Sequence, residues 1–155
     1  MAVFAFVIIS CKPQHDIAGR YNYESECMGV DLDGSQTLKV WGSGRTRDHA
    51  IENAKKNGIK DVLFKGIRNG KSDCNLKPVV PEVNAQEKYE DYFNKFFAEN
   101  GEYKNYVSIP KSNLITTNQV EYKGKAQSSK LFGIIVNVHR SELKAKMIQD
   151  NILKP

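Results

Sequence analysis

The sequence predicts an α+β fold, a mixed, largely antiparallel sheet covered on one face by helices, in the order ββα-α-βββα. Three observations carry that expectation. Apolar residues recur at helical spacing in three stretches, they alternate from Leu131 to His139, and clusters of Gly, Pro, Asn, Asp and Ser separate the segments. At 155 residues the chain suits one domain with a substantial core. Its 40% hydrophobic and 26% charged content is that of a globular chain, neither disordered nor membrane-spanning.

The chain opens with Ala2-Val3-Phe4-Ala5-Phe6-Val7-Ile8-Ile9, an unbroken apolar run. It is far short of the ~20 residues that cross a bilayer as a helix, and has the length of the apolar core of a secretion signal. Its β-branched and aromatic content also suits a buried first strand, which would make this a soluble cytoplasmic domain with residues 2–10 in the sheet. Ile8-Ile9-Ser10-Cys11 resembles the bacterial lipobox. That resemblance implies cleavage after Ser10 and lipidation of Cys11, with palmitate among its acyl chains, and two or three chains anchor firmly where one does not. Residues 1–10 are then a signal segment, 11–20 the lipid attachment and tether, and 21–155 a single α+β domain. Lys12-Pro13-Gln14-His15-Asp16 has the composition of such a tether. With Cys11 lipidated, Cys27 and Cys74 remain as a possible disulfide in an oxidising compartment. Two unrelated buried thiols fit the sequence nearly as well.

Residues 21–30 and 36–41 read as two strands, joined through the turn residues Asp31-Leu32-Asp33-Gly34-Ser35 as a hairpin. Gly42-Ser43-Gly44 reads as a tight turn from strand to helix. The helix starts near Thr46 and runs about five turns through Ala50, Ile51, Ala54, Val62 and Leu63 to a glycine cap at Gly66. Its small residues, with Gly58, predict close packing against the sheet. A long loop covers 67–81. A second helix is expected from about Pro81 to Asn100, closed by Gly101, with Tyr89, Tyr92, Phe93, Phe96 and Phe97 on one face. Strands follow at 103–109, 119–125 and 131–139, and Ser141 is expected to cap a last helix through Leu143, Met147, Ile148 and Ile152.

Few motifs suggest chemistry. The Gly42-Ser43-Gly44 turn, flanked by Arg45 and Arg47, is a possible anion-binding turn at a helix N-terminus. The dinucleotide fingerprint would need a glycine where Arg47 stands, and the Gly-Lys-Ser/Thr of a P-loop is missing. Asp31-x-Asp33-x-Ser35 resembles the start of a calcium loop, but Gln36 and Gly42 occupy the positions that need glycine and glutamate. His15, His49 and His139 show no ligand spacing, so neither metal nor cofactor is expected. The net charge of +5 comes from dispersed lysines, not from the basic stripe of a nucleic-acid binder. The five aromatics fit a core stripe better than a stacking platform.

Val40-Trp41-Gly42-Ser43-Gly44, the helix with Ala50 and Ala54, and Val62-Leu63-Phe64-Lys65-Gly66 together resemble small α/β domains of periplasmic assembly lipoproteins. Among these are activators of peptidoglycan synthases and the N-terminal domain of flagellar assembly proteins. Tyr92-Phe93-x-x-Phe96-Phe97, and Val136-x-Val138 leading to a helix with Leu143, also resemble uncharacterised lipoproteins of the Bacteroidota. The resemblance implies a non-enzymatic binding or assembly module. It implies anchoring to the outer membrane through Cys11, facing the periplasm since no acidic run follows Cys11, with an envelope protein as partner and no nucleic acid. A ligand-binding or enzymatic domain built on the 42–47 turn is the rival expectation.

Overall fold

The computed structural model describes residues 23–74, 77–110, 120–122 and 129–154. The expected signal segment, Cys11 and the tether lie outside these residues, as do parts of the strands expected at 21–30 and 119–125. Among the described residues the fold is α+β. A six-stranded sheet in the order β3-β1-β2-β6-β4, with β5 also on β6, is antiparallel except where β1 meets β3.

Strands β1 (Glu26–Val30) and β2 (Gln36–Gly44) form the hairpin. Its turn is closed by Asp31 N donating to Ser35 O at 2.9 Å, Gly34 N to Asp31 O at 2.9 Å and Ser35 N to the Asp33 carboxylate at 2.8 Å. The Asp31–Ser35 stretch is therefore a hairpin turn held by its own side chains. A bulge between Cys27 and Gly29 bends β1. β2 pairs with β6 (Ser129–Val138) along its whole length, from Gln36 opposite Val138 to Gly44 opposite Lys130. It pairs with β1 only over Gln36–Lys39.

Helix α1 (Arg47–Lys60) crosses β2 and β6, with the Thr46 hydroxyl accepting from His49 N at its start. The approach is close because the facing residues are small. A Cβ on Gly42 would lie 2.2 Å from Ala50 O and Ala54 N, and one on Gly44 would lie 2.6 Å from Ala50 N. Gly42, Ser43 and Gly44 are thus the last residues of β2, paired with Phe132, Leu131 and Lys130, and not the expected turn. Their glycines answer to helix contact instead of turn geometry. The strand-to-helix turn is confined to Arg45 and Thr46. At the other end α1 widens into a π-helical turn, Asp61–Lys65, closed by Gly66 N donating to Asp61 O at 2.7 Å, with Gly66 at φ 74°. The carbonyls of Val62 and Leu63 accept from Val79 N and Val80 N at 3.0 and 2.8 Å.

That pairing ties residues 79–80 to the end of the π-helical turn, and the second helix does not begin at Pro81. It forms two short helices, α2 (Ala85–Lys88) and α3 (Glu90–Phe96), separated by Tyr89 at φ −115° and ψ 38°. The aromatic stripe is core: Phe93 and Phe96 are buried and Tyr89, Tyr92 and Phe97 partly so. Phe93 meets Phe64 edge-on at 4.9 Å, and Phe96 stacks on Tyr106 at 6.0 Å. Glu102–Tyr106 is a 3-10 helix where a strand is expected, because Tyr103 turns into the core and its hydroxyl donates to Glu52 of α1 at 2.8 Å. Only β4 (Val107–Ser108) is strand, beside β5 (Val120–Tyr122) farther along β6. β3 (Asn69–Gly70) lies within the expected loop and runs parallel to β1. Helix α4 (Arg140–Gln149) starts after His139 without a side-chain cap; Ser141 lies inside it, against the hairpin turn at Gly34. α4 is held by Leu143 and Met147 in the core, by the Tyr92 hydroxyl donating to Asp150 at 2.6 Å, and by Lys146 bridging Glu102 and Asp150 at 2.7 and 3.2 Å. Burial, then the Asp150 carboxylate, pushes the Tyr92 hydroxyl well above the ordinary tyrosine pKa, so it stays a donor.

Leu38, Val40, Ile134, Val136 and Val138 point to the helices and are buried, whereas Thr37, Lys39, Trp41, Ile135 and Asn137 alternate onto the opposite face and are half-exposed. Cys27 and Cys74 are joined as a disulfide with Cα atoms 6.0 Å apart, both nearly fully buried. The bond fastens the loop after β3 to the bulged strand β1.

Three stability outcomes follow. In denaturant titrations Gly42→Ala should lose about 3 kcal/mol, the upper end of overpacking penalties, since its Cβ would strike helix backbone. Gly58→Ala should stay within about 1 kcal/mol of the parent. Its Cβ would sit 3.0 Å from Val40 Cγ1, a side-chain atom, while helix propensity gains up to about 1 kcal/mol. Breaking the disulfide, by reduction or by Cys27→Ala with Cys74→Ala, should cost about 2–5 kcal/mol, read as a lower midpoint in the same titration.

Candidate functional site

The uneven pairing of β2 creates a concavity among the described residues. Beyond Lys39, opposite the start of β1 at Glu26, β2 has no partner on that side, and Trp41, Gly42 and Ser43 border a groove of about 710 Å³. Helix α1 and the π-helical turn after it supply one wall through Asn57 and Asp61, which continue a four-residue spacing begun at Asn53. Asn57 Nδ2 donates to Trp41 O at 2.8 Å and Asn53 Nδ2 to Ser43 O at 2.7 Å. These side chains occupy strand carbonyls that a neighbouring strand would otherwise pair. Asp61 accepts from the Ser25 hydroxyl at 2.6 Å and meets Lys65 Nζ at 2.9 Å, which fixes the carboxylate at the groove floor.

Aromatic rings supply the apolar side. Tyr23 and Trp41 pack with centroids 4.8 Å apart and planes inclined at 41°, and Phe64 completes the lining from the π-helical turn. Trp41 lies over Gly133 on the strand opposite, where a Cβ would come within 2.8 Å of the indole. Lys39 Nζ sits 5.3 Å from the indole centroid. The charged lining is balanced, with Glu24 and Asp61 against Lys65 and Arg68. Asn69 Nδ2 donates to the Glu24 carboxylate, linking the rim to β3. A smaller hollow of about 320 Å³ shares the wall at Tyr23, Trp41 and Asp61 and continues to Lys60 and Gln86. Ring faces beside planar amide, carboxylate and guanidinium groups can recognise a ligand having both apolar surface and directional hydrogen-bonding groups.

The residues singled out from sequence are dispersed. Gly42 and Ser43 border the groove as strand residues, while Arg45, Arg47 and His49 are exposed and line none of it. The turn expected to hold an anion at 42–47 is therefore not part of this groove, apart from Gly42 and Ser43. Cys27 and Cys74 are buried in the disulfide, and Cys11 lies outside the described residues. His49 and His139 stand apart, and no group of three His, Cys, Asp or Glu residues among those described could hold a metal. No helix among the described residues is long and apolar enough to cross a membrane.

Sequence reasoning missed the groove. Two signals for it were present: the four-residue spacing of Asn53, Asn57 and Asp61, and Trp41, the chain's lone tryptophan, at an outward position between buried Val40 and Gly42. Neither signal shows that β2 has no β1 partner beyond Lys39, which is what brings them together. Compared with known proteins, the chain matches no family model, no curated protein and no solved structure.

Proposed function

We propose that this chain is a membrane-anchored envelope lipoprotein whose α+β domain acts as a non-enzymatic binding or assembly module. The observation that carries the reading is the disulfide between Cys27 and Cys74. Such bonds persist in oxidising compartments and are rare in the cytosol, so the disulfide favours export over a cytoplasmic domain with residues 2–10 as a strand. An exported chain whose remaining cysteine lies in Ile8-Ile9-Ser10-Cys11 has a ready means of attachment, since two or three acyl chains at Cys11 hold a protein firmly to a bilayer. The domain would then sit near the periplasmic face of the outer membrane. Its groove supports a recognition role, because the rings and planar polar groups are held in place by the sheet and α1.

Expressed in bacteria fed labelled palmitate, the chain should incorporate label, accumulate as an unprocessed precursor under globomycin, and partition with membranes. Cys11→Ser should abolish labelling and release the domain from the membrane fraction. Absence of labelling together with globomycin-insensitive processing would sink the proposal.

A further inference from the structure

We propose that the groove beside β2 binds a neutral saccharide, with a pyranose ring stacked in the Tyr23–Trp41 corner and its hydroxyls held by planar polar side chains. The inference deepens the binding-module reading and rests on it.

Three features of the groove narrow the ligand class. A peptide adding as a strand to residues 40–44 would need the outward carbonyls of that edge. Asn57 and Asn53 already hold the carbonyls of Trp41 and Ser43 at 2.8 and 2.7 Å, so the edge is blunted by the protein's own amides. Recognition therefore falls to side chains. A phosphate-rich ligand or nucleic acid calls for a clear excess of positive charge. Here Glu24 and Asp61 face Lys65 and Arg68, and Lys39 beside the indole adds a small positive excess but no dense basic cluster, so a polyanion gains little. The remaining chemistry is ring faces next to hydrogen-bonding edges. A pyranose presents a flat patch of C–H bonds, which suits the electron-rich face of an indole or phenol, and a rim of hydroxyls that both donate and accept. Asn57, Asp61 and Arg68 supply an amide, a carboxylate and a guanidinium along that rim. The Ser25 and Lys65 contacts to Asp61 hold the carboxylate in one orientation, reducing the ordering needed on binding. A volume of about 710 Å³ lies within the ~300–1,000 Å³ of small-molecule sites and leaves room for more than one sugar ring.

Trp41 is the only tryptophan in the chain, so its emission reports on this groove alone. The full-length protein in detergent micelles is titrated with cellobiose, maltose and N,N′-diacetylchitobiose into the millimolar range. At least one should give a saturable change in emission, and calorimetry should return the same affinity. Trp41→Ala and Arg68→Gln, each verified as folded by circular dichroism and thermal midpoint, should weaken that affinity about tenfold or more, equivalent to about 1.4 kcal/mol. His49→Ala, exposed and away from the groove, should bind as the parent does. No saturable response to any of the three sugars overturns the proposal, as does an affinity unchanged in both groove variants. Failure of palmitate labelling would remove the membrane anchor yet leave this titration unaffected, so the two readings fail separately.

Discussion

The close seating of α1 on β2 is the constraint on which the other parts of the domain depend. Gly42 and Gly44 on the strand face Ala50 and Ala54 on the helix, so backbone meets backbone with no room for a Cβ. The contact removes both Ala50 and Ala54 from water and brings the helix low enough to bury Leu38, Val40, Ile134 and Val136. Each larger side chain in that layer is worth about 1.5–3 kcal/mol of transfer free energy. A glycine in a strand ordinarily costs conformational entropy, and here the cost is offset by the packing that only glycine permits.

The same seating produces the groove. With the helix close to β2, amides at Asn53 and Asn57 reach the strand carbonyls at Ser43 and Trp41, and Asp61 reaches Ser25 just before the start of β1. An open sheet edge invites unwanted strand pairing. The amides close that opportunity on the α1 side, while Trp41, laid over Gly133, covers the sheet's other face. The groove walls are thus the flanks of the main packing contact and share its rigidity.

A second layer depends on the aromatic residues. The π-helical turn at the end of α1 redirects Phe64 toward Phe93, and its freed carbonyls at Val62 and Leu63 capture Val79 and Val80. This fixes where α2 and α3 begin and where their rings fall. Tyr103 hydrogen-bonds to Glu52 and Tyr92 to Asp150, so each buried phenol is satisfied while tying the 3-10 helix and α4 to the remainder of the core. The disulfide does the corresponding work on the opposite side, where β3 contributes only two residues to the sheet.

The sequence by itself determined the α+β class, the hairpin at Asp31–Ser35, the long first helix, the β6 strand and the aromatic core stripe. Each of these is written in a local period, or in turn chemistry that neighbours in the chain enforce. Tertiary structure decided the rest. Gly42-Ser43-Gly44 has the composition of a turn but continues β2, because pairing with β6 and contact with α1 outweigh local propensity. The segment after Gly101 has the pattern of a strand but coils as a 3-10 helix, because Tyr103 finds a buried partner on α1. The groove was illegible for the same reason: it exists where β1 stops pairing at Lys39, and no residue within the strand marks that point. Local periodicity encodes which face of an element is apolar, whereas the place where two elements separate is set by packing among segments distant in the chain.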